Sequence, residues 1–409
     1  MKMNAYVVGV GMTRFGKHLD RSLKSLSAEA ISAAVADAGI DLGQIQAAYM
    51  ANSAAGVMSG QHMIRGQVFL RAMGVGAIPV INIENACASA STAFNQAAAM
   101  VTAGAYDIVL AAAVEKLYDE DKAKSFAAFG GGVDVEAMRA QVAAARAAAA
   151  ASPEASKDGA KGGTIFMDFY AASARDHMKR HGTTVEQFAE VSVKNSFHGS
   201  LNARAQFRDA LTLEDVLGSP LIANPLTRPM CSPIGDGAAA VVIMSERKVR
   251  ELGLMDSAVR VVSSVLRSGL DHDRDASGTA ELCAADLYAE AGLGPDDLNV
   301  VELHDASAPA EIMAYETLGL CASGEGGRFI QTGATRLGGR LPVNTSGGLL
   351  RKGHPVGATG IAQLVELTEQ LQGRSGARQV EGARVGLAHN NGGSLGGDVA
   401  AACLTLLRK

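Results

Sequence analysis

Within this 409-residue chain, the residue types that invite chemistry begin at Cys87, inside Val80-Ile-Asn-Ile-Glu-Asn-Ala-Cys-Ala-Ser-Ala-Ser91. A short β-branched run turns at Glu84-Asn85 and continues into small residues. That pattern predicts a strand, a tight turn and a helix opening at or just after the cysteine. A thiol so placed has free main-chain N–H groups and a positive helix end beside it. Both favour thiolate and draw the pKa from about 8.5 toward neutrality. Ala86, Ala88, Ser89 and Ala90 leave room for a carbonyl, so the stretch suits a nucleophile that accepts an acyl group. A free cysteine is as readily a small core residue, and its company decides between the two.

That company is His304, His354 and the run Asn390-Asn391-Gly392-Gly393. His304 ends an apolar run and precedes Asp305-Ala-Ser307, a helix cap. His354 lies in Gly353-His-Pro-Val-Gly357, where glycine and proline fix a loop just before a helix. All three stretches fall at the carboxyl ends of predicted strands or in loops beside them, where open α/β sheets bind ligands. Singly, each histidine reads as a surface or satisfied core residue. With Cys87 they form a constellation.

The elements that must position these groups alternate between strand and helix, which predicts an α/β fold with a largely parallel sheet. Strands are expected at residues 4–10, 45–50, 106–114, 236–244, 300–304, 385–389 and 400–407, and helices at 22–39, 60–74, 169–181, 184–196, 308–318 and 358–371. Gly9-Val-Gly11 resembles part of a dinucleotide loop, but no helix opens from it and no nucleotide cofactor is expected. Composition shifts after Glu115, and residues 117–230 read as an inserted domain or lid. Within it, Val133–Ala151 is Ala-rich and reads as an exposed helical excursion with a flexible polar end, Ser152–Gly163. A second strand–helix pass begins at Val259. Each pass runs strand, reactive loop, small-residue helix, strand, and closes with a Gly/Asp turn into an Ala/Val-rich strand. This is the pattern of an internal duplication, with a period too long for a solenoid.

Composition excludes several classes. Net charge is −5 without a basic patch, which argues against nucleic acid. No apolar stretch is long enough to span a membrane. The cysteines at 87, 231, 283, 321 and 403 form no C-x-x-C pair, so neither a disulfide framework nor a metal site is expected, and a reducing cytoplasm is the default.

Asn85-Ala-Cys-Ala-Ser89, Glu302-Leu-His-Asp305, Asn344-Thr-Ser-Gly-Gly348, Gly353-His-Pro355 with Gly357-Ala-Thr-Gly360, and the Gly-Gly-rich C-terminal turn resemble the thiolase superfamily. The likeness is to sterol-carrier-protein-type thiolases and their bacterial acetyl-CoA acetyltransferase-like relatives, and it runs in order over essentially the whole chain. It implies a duplicated thiolase fold, five layers α-β-α-β-α, with an inserted loop domain. By that division residues 1–116 and 231–256 form the first half, 117–230 the inserted CoA-binding loop domain, and 257–409 the second half.

The resemblance further implies that Cys87 is acylated and that His304 and His354 hold the thioester oxygen, with His354 also activating Cys87. It places the N–H groups of Cys87 and Gly392 in a second oxyanion hole, and Ser232, Met167 and Gly393 on the substrate side along CoA. Coenzyme A is then a substrate, no cofactor is bound, and the assembly is a homodimer or homotetramer. The setting is lipid metabolism such as fatty acid β-oxidation, and a small zinc-ribbon/OB-fold partner subunit accompanies some relatives. One departure matters. Where thiolases place a second cysteine, as proton shuttle, this chain has Asn390 in the C-terminal motif and Ala306 after the His-Asp pair. The shuttle is then another residue, with Cys283 or Cys321 as candidates, or the reaction differs: a retro-aldol cleavage of a CoA ester, or no catalysis and acyl-CoA or lipid binding alone.

Overall fold

The computed structural model describes residues 2–140, 143–144, 165–271 and 276–409. Eleven strands are present among them: β1 (Lys2–Met12), β2 (Ala47–Ala51), β3 (Val80–Ile83), β4 (Ile108–Glu115), β5 (Leu221–Ala223), β6 (Leu226–Thr227), β7 (Gly237–Ser245), β8 (Val259–Ser268), β9 (Val300–Glu302), β10 (Val385–Gly392) and β11 (Ala401–Arg408). Nine of them form one continuous sheet in the order β3-β2-β4-β7-β1-β8-β11-β10-β9, and β5 and β6 pair separately.

The sheet is two related halves joined at their first strands, where β1 and β8 run antiparallel with Val7 opposite Val259. Moving outward from that seam, β7 corresponds to β11, β4 to β10 and β2 to β9. The counterpart of β3 shrinks to a single bridge between Val301 and Val343. The predicted parallel pairing holds at β3–β2–β4 and at β9–β10. The other pairings are antiparallel: β11 returns beside β10 after a short turn, and β7 returns beside β4 after the long helical excursion between Glu115 and Gly237.

Two helices, Ser89–Thr102 and Thr359–Leu371, lie between the halves and pack on strands of both, as well as on each other. Helix Leu23–Asp37 covers the outer face of β1 and β7, and helix Thr279–Ala291 covers β8 and β11. Five layers result. The central helices are almost wholly buried, and one apolar cluster joins Ala93, Phe94 and Ala97 to Ile361, Leu364 and Val365. Gly9 and Gly11 owe their place to packing. A Cβ on Gly9 would lie 2.3 Å from the Ala34 carbonyl and one on Gly11 2.4 Å from that of Ala30, so helix Leu23–Asp37 rests directly on the β1 backbone.

Local signals explain most boundaries. Ser22 and Ser25 form a capping box on the first helix, and Thr184 with Gln187 another on Val185–Ser200. The single helix expected at 60–74 is instead two, Ala55–Ser59 and Arg65–Arg71. Between them Gly60 and Ile64 take positive φ, and Asn82 accepts from the Gly66 N–H at 2.6 Å, starting the second helix afresh. The Gly-rich loop at 344–353 contains a short helix, Gly348–Lys352.

The excursion between the paired strands β4 and β7 carries helices Ile165–His181 and Val185–Ser200, which pack on helices Ala308–Thr317, Gly326–Gln331 and Gly348–Lys352 of the second half. Residues 141–142 and 145–151 of the Ala-rich stretch Val133–Ala151, and all of Ser152–Gly163, lie outside the described residues. Among the described residues no helix is long and apolar enough to cross a membrane.

The central helices meet at Gly360, where an added Cβ would sit 2.0 Å from Ser91 Oγ and 2.8 Å from the Ser91 nitrogen. Gly360→Ala is expected to destabilise the fold by about 1–3 kcal/mol through overpacking. Thermal or urea unfolding measures the loss, and wild-type stability would show that the helices give way freely.

Candidate active site

Cys87 follows a backbone kink at Ala86, whose φ is +47°, and precedes helix Ser89–Thr102 by two residues. The turn is closed by the Ala88 and Ser89 N–H groups donating to the carbonyls of Asn85 (2.9 Å) and Ala86 (3.1 Å). The loop before the second central helix brings His354 to the same place. There the Ile234 backbone bridges His354, and Cys231 bridges Ser307. His304 enters from just beyond β9. One ligand-capable atom from each of Cys87, His304 and His354 lies within 4.8 Å of the others, and the two imidazoles meet edge to face at 5.3 Å.

Hydrogen bonds assign the ring nitrogens. Thr359 Oγ1 donates to the Pro355 carbonyl (3.1 Å), so its contact with His354 Nδ1 (2.7 Å) makes that nitrogen the N–H donor. His354 Nε2 is left with a lone pair facing the site. His304 is the reverse. Asn390 Nδ2 donates to His304 Nδ1 at 3.2 Å and to Gln363 Oε1 at 3.3 Å, leaving the His304 proton on Nε2. One ring is set to take a proton and the other to give a hydrogen bond.

Buried polar contacts hold both histidine loops. Asp305 accepts from the N–H groups of Leu349 (2.7 Å) and Leu350 (3.3 Å) and from Asn195 Nδ2 (2.8 Å). Glu302 accepts from the Ser346 N–H at 3.0 Å and from Lys352 Nζ at 3.3 Å. Asn344, at φ +55°, accepts the Leu303 N–H and donates to Glu311, which also pairs with the fully buried Lys194 at 2.7 Å. From the first half, Glu115 accepts from the Ser53, Ala54 and Gly357 N–H groups at 3.0–3.1 Å, tying β4 to the His354 loop.

Burial controls the charges. It pushes the Cys87 thiol up to about 12, with the Glu115 carboxylate adding to it, against main-chain N–H groups of Cys87 and Gly393 that pull the other way. It pushes His354 down to about 3, helped by the Lys352 ammonium. It lowers His304 well below its ordinary value, with the neighbouring His354 and His389 adding to the effect. Glu115 itself rises to about 7. The expectation of a thiol drawn toward neutrality is therefore corrected: the helix end and the amides are present, but desolvation outweighs them. Burial thus favours the neutral thiol beside neutral imidazoles.

Two cavities meet at Cys87. One, of about 120 Å³, is lined by His304, His354, Ser232, Met167, Tyr170 and Asn391 among others. The other, of about 270 Å³, is lined chiefly by Val57, Leu117, Ala128, Phe129 and Val356, with Glu84 at its edge. Ser232, Met167 and Gly393 stand in the first wall. Gly392 lines neither cavity. It is pressed on the nucleophile turn, where a Cβ would lie 2.1 Å from the Asn85 carbonyl, and the amide from this strand that faces the sulfur is that of Gly393. Asn390 is buried behind His304. Cys283 is buried, bonded to the Ala402 carbonyl at 3.6 Å, and neither it nor Cys321 lines either of these cavities.

Sequence reasoning missed Tyr170, Phe129 and Phe166, for which the chain offers no local signal. It also missed Thr359 and Glu115, for which it does: a hydroxyl one turn after Pro355, and a lone carboxylate ending an apolar strand. One sulfur and two imidazoles also make a donor set suited to a soft cation. Bonds of about 2.0–2.3 Å would require the three atoms to draw closer than their present spread.

Family comparison matches residues 5–216 to the thiolase N-terminal domain and 271–404 to the thiolase C-terminal domain-like model. The chain is 40% identical to an acetyl-CoA acetyltransferase of Methanothermobacter thermautotrophicus, covering 95% of this chain and 96% of that one. It is 34% identical to sterol carrier protein 2 of Bos taurus, covering 98% of this chain and 72% of that one. Among solved structures, an Ltp2-ChsH2(DUF35) aldolase aligns with TM-score 0.76 at 25% identity, over 99% of this chain and 97% of that chain.

A neutral resting thiol makes a prediction about pH. With the Cys87 thiol near 12, its alkylation by iodoacetamide should climb about tenfold per pH unit through the neutral and mildly alkaline range, without a plateau. Peptide mass spectrometry at Cys87 follows the rate apart from the other four cysteines. A plateau near neutrality would mean a preformed thiolate–imidazolium pair.

Proposed function

As the chain belongs to the thiolase family, we propose that it is an acyl-CoA C-acyltransferase that cleaves or forms a 3-ketoacyl-CoA through an acyl-Cys87 intermediate. The observation that carries the reading is the convergence of Cys87, His304 and His354 within 4.8 Å at the junction of two cavities. His354 Nε2 takes the thiol proton as Cys87 attacks the keto carbon. His304 Nε2–H and the N–H groups of Cys87 and Gly393 then stabilise oxyanions. Removing one such donor typically costs about 3–4 kcal/mol at the transition state.

The cavity walled by Ser232 and Met167 suits the pantetheine arm of CoA, a substrate rather than a resident cofactor. The apolar cavity beyond Phe129 suits an acyl group longer than acetyl. The Ltp2-ChsH2(DUF35) aldolase supports a small partner subunit for this chain. It also favours a second reading, retro-aldol cleavage of a CoA ester, as does the lack, among the described residues, of a second cysteine on the cavity wall.

Incubation with acyl-CoAs and 3-ketoacyl-CoAs followed by intact-mass measurement is expected to show an acyl adduct that Cys87→Ala abolishes. Cleavage without any adduct would replace this reading with the aldol one. Narrowing the apolar cavity by Ala128→Leu is expected to shift kcat/KM toward shorter 3-ketoacyl-CoAs, in a series running upward from acetoacetyl-CoA. An unchanged chain-length preference would place the acyl group elsewhere.

A further inference from the structure

Cleaving a 3-ketoacyl-CoA needs a proton delivered to the α-carbon, and the residue types usual for that task are absent here: Asn390 is buried behind His304 and Ala306 carries no proton. Among the described residues, the ionisable side chains lining the cavity with Ser232 are Cys87, His304, His354 and Tyr170. Cys87 forms the acyl bond. His304 has Nδ1 occupied by Asn390 and its one proton committed to an oxygen, and His354 holds the proton taken from the thiol. Tyr170 is unassigned. It projects from helix Ile165–His181, one turn beyond Phe166 and Met167, onto the wall between this cavity and the outer groove that Gly393 and Asp398 also line. Its ring is half-buried, and no hydrogen bond among the described residues engages its hydroxyl.

We propose that Tyr170 is the second proton-transfer residue, a catalytic phenol that takes over the task for which the family resemblance implies a cysteine. The proposal rests on the acyl-Cys87 reading. Cys87 Sγ bonds to the keto carbon and the adjoining C–C bond breaks, leaving its electron pair on the α-carbon as an enolate. The Tyr170 O–H bond releases its proton to that carbon, and phenolate remains. Phenolate takes the proton of the incoming CoA thiol, and the resulting thiolate attacks the acyl-Cys87 carbonyl. The Cys87 sulfur leaves and recovers its proton from His354. Nothing is oxidised or reduced. Desolvation raises the phenol further above its ordinary value, which makes phenolate a strong base toward a thiol.

Tyr170→Phe keeps the ring and removes the proton. Acylation of Cys87 by an acyl thiophenyl ester, whose leaving thiolate needs no proton, is expected to stay within about twofold of wild type. Thiolysis of a 3-ketoacyl-CoA and deuterium exchange at the α-carbon of an acyl-CoA should each fall roughly 10²–10⁴-fold. Tyr170→Cys, which restores a proton donor, should recover part of the exchange. Thiolysis and exchange at wild-type rates in Tyr170→Phe overturn the assignment while leaving acyl-Cys87 intact. A wild-type protein that forms no adduct overturns both.

Discussion

The arrangement depends on the close crossing of the two central helices at Ser91 and Gly360. Cys87 stands just before one helix and His354 just before the other, so the angle and distance of that crossing set how far thiol and imidazole lie apart. Only a glycine lets the backbone of the second helix come within contact of Ser91. The surrounding surfaces are small or β-branched residues, Ala90, Ala93 and Ala97 facing Ile361, Ala362 and Val365, which let the helices fill the space between the half-sheets without separating them. The sheet seam at β1 and β8 fixes the other coordinate. It locks the halves to each other by main-chain hydrogen bonds rather than by side-chain fit alone.

A site made this way is largely buried, and burial dominates its electrostatics. In water, a helix end and two amides would favour a thiolate. Here the loss of hydration and the buried Glu115 carboxylate outweigh them, and the imidazole that would accept the proton is itself disfavoured as a cation. Neutral forms of both partners are the consistent solution, because separating charge inside the cavity costs more than the N–H groups return. Charge then develops only as a carbonyl arrives to receive it. Preorganised donors are worth most in that situation, since no solvent must reorganise.

Much of this was legible in the chain. The strand–turn–small-residue pattern around Cys87 gave the strand, the kink and the helix that position it, because a β-branched run meeting Glu-Asn and then alanines has few other ways to fold. The repeated order of elements revealed the duplication, and the helix caps at Ser22 and Thr184 gave boundaries. Long-range burial was not legible. No local pattern says that burial and the Glu115 carboxylate will push the Cys87 thiol up against the pull of the amides. Nor does spacing in sequence show that Tyr170, on an excursion that packs against the other half, reaches the cavity. The parallel character of the sheet was overestimated for a related reason. Strands closing each half return beside a neighbour, and that choice is made by packing at the seam.

The duplication also explains how one architecture serves two purposes. In the first half, the loop leaving β2 meets the end of β4 through Asn52 and Glu115, with Asn52 Nδ2 donating at 3.0 Å. In the second, the loop leaving β9 meets the end of β10 through His304 and Asn390 at 3.2 Å. These are corresponding places in the two half-sheets. The carboxylate of the first pair spends its oxygens on main-chain N–H groups, one of them from Gly357, and so clamps the His354 loop. The amide of the second pair spends its hydrogens on a ring and on Gln363, and so fixes which imidazole nitrogen faces the cavity. A carboxylate at the second position would make His304 a donor at Nδ1 and leave Nε2 without a proton to offer an oxyanion. The amide of the second half thus sets the free proton of His304 on Nε2, while Thr359 sets the free lone pair of His354 on its Nε2.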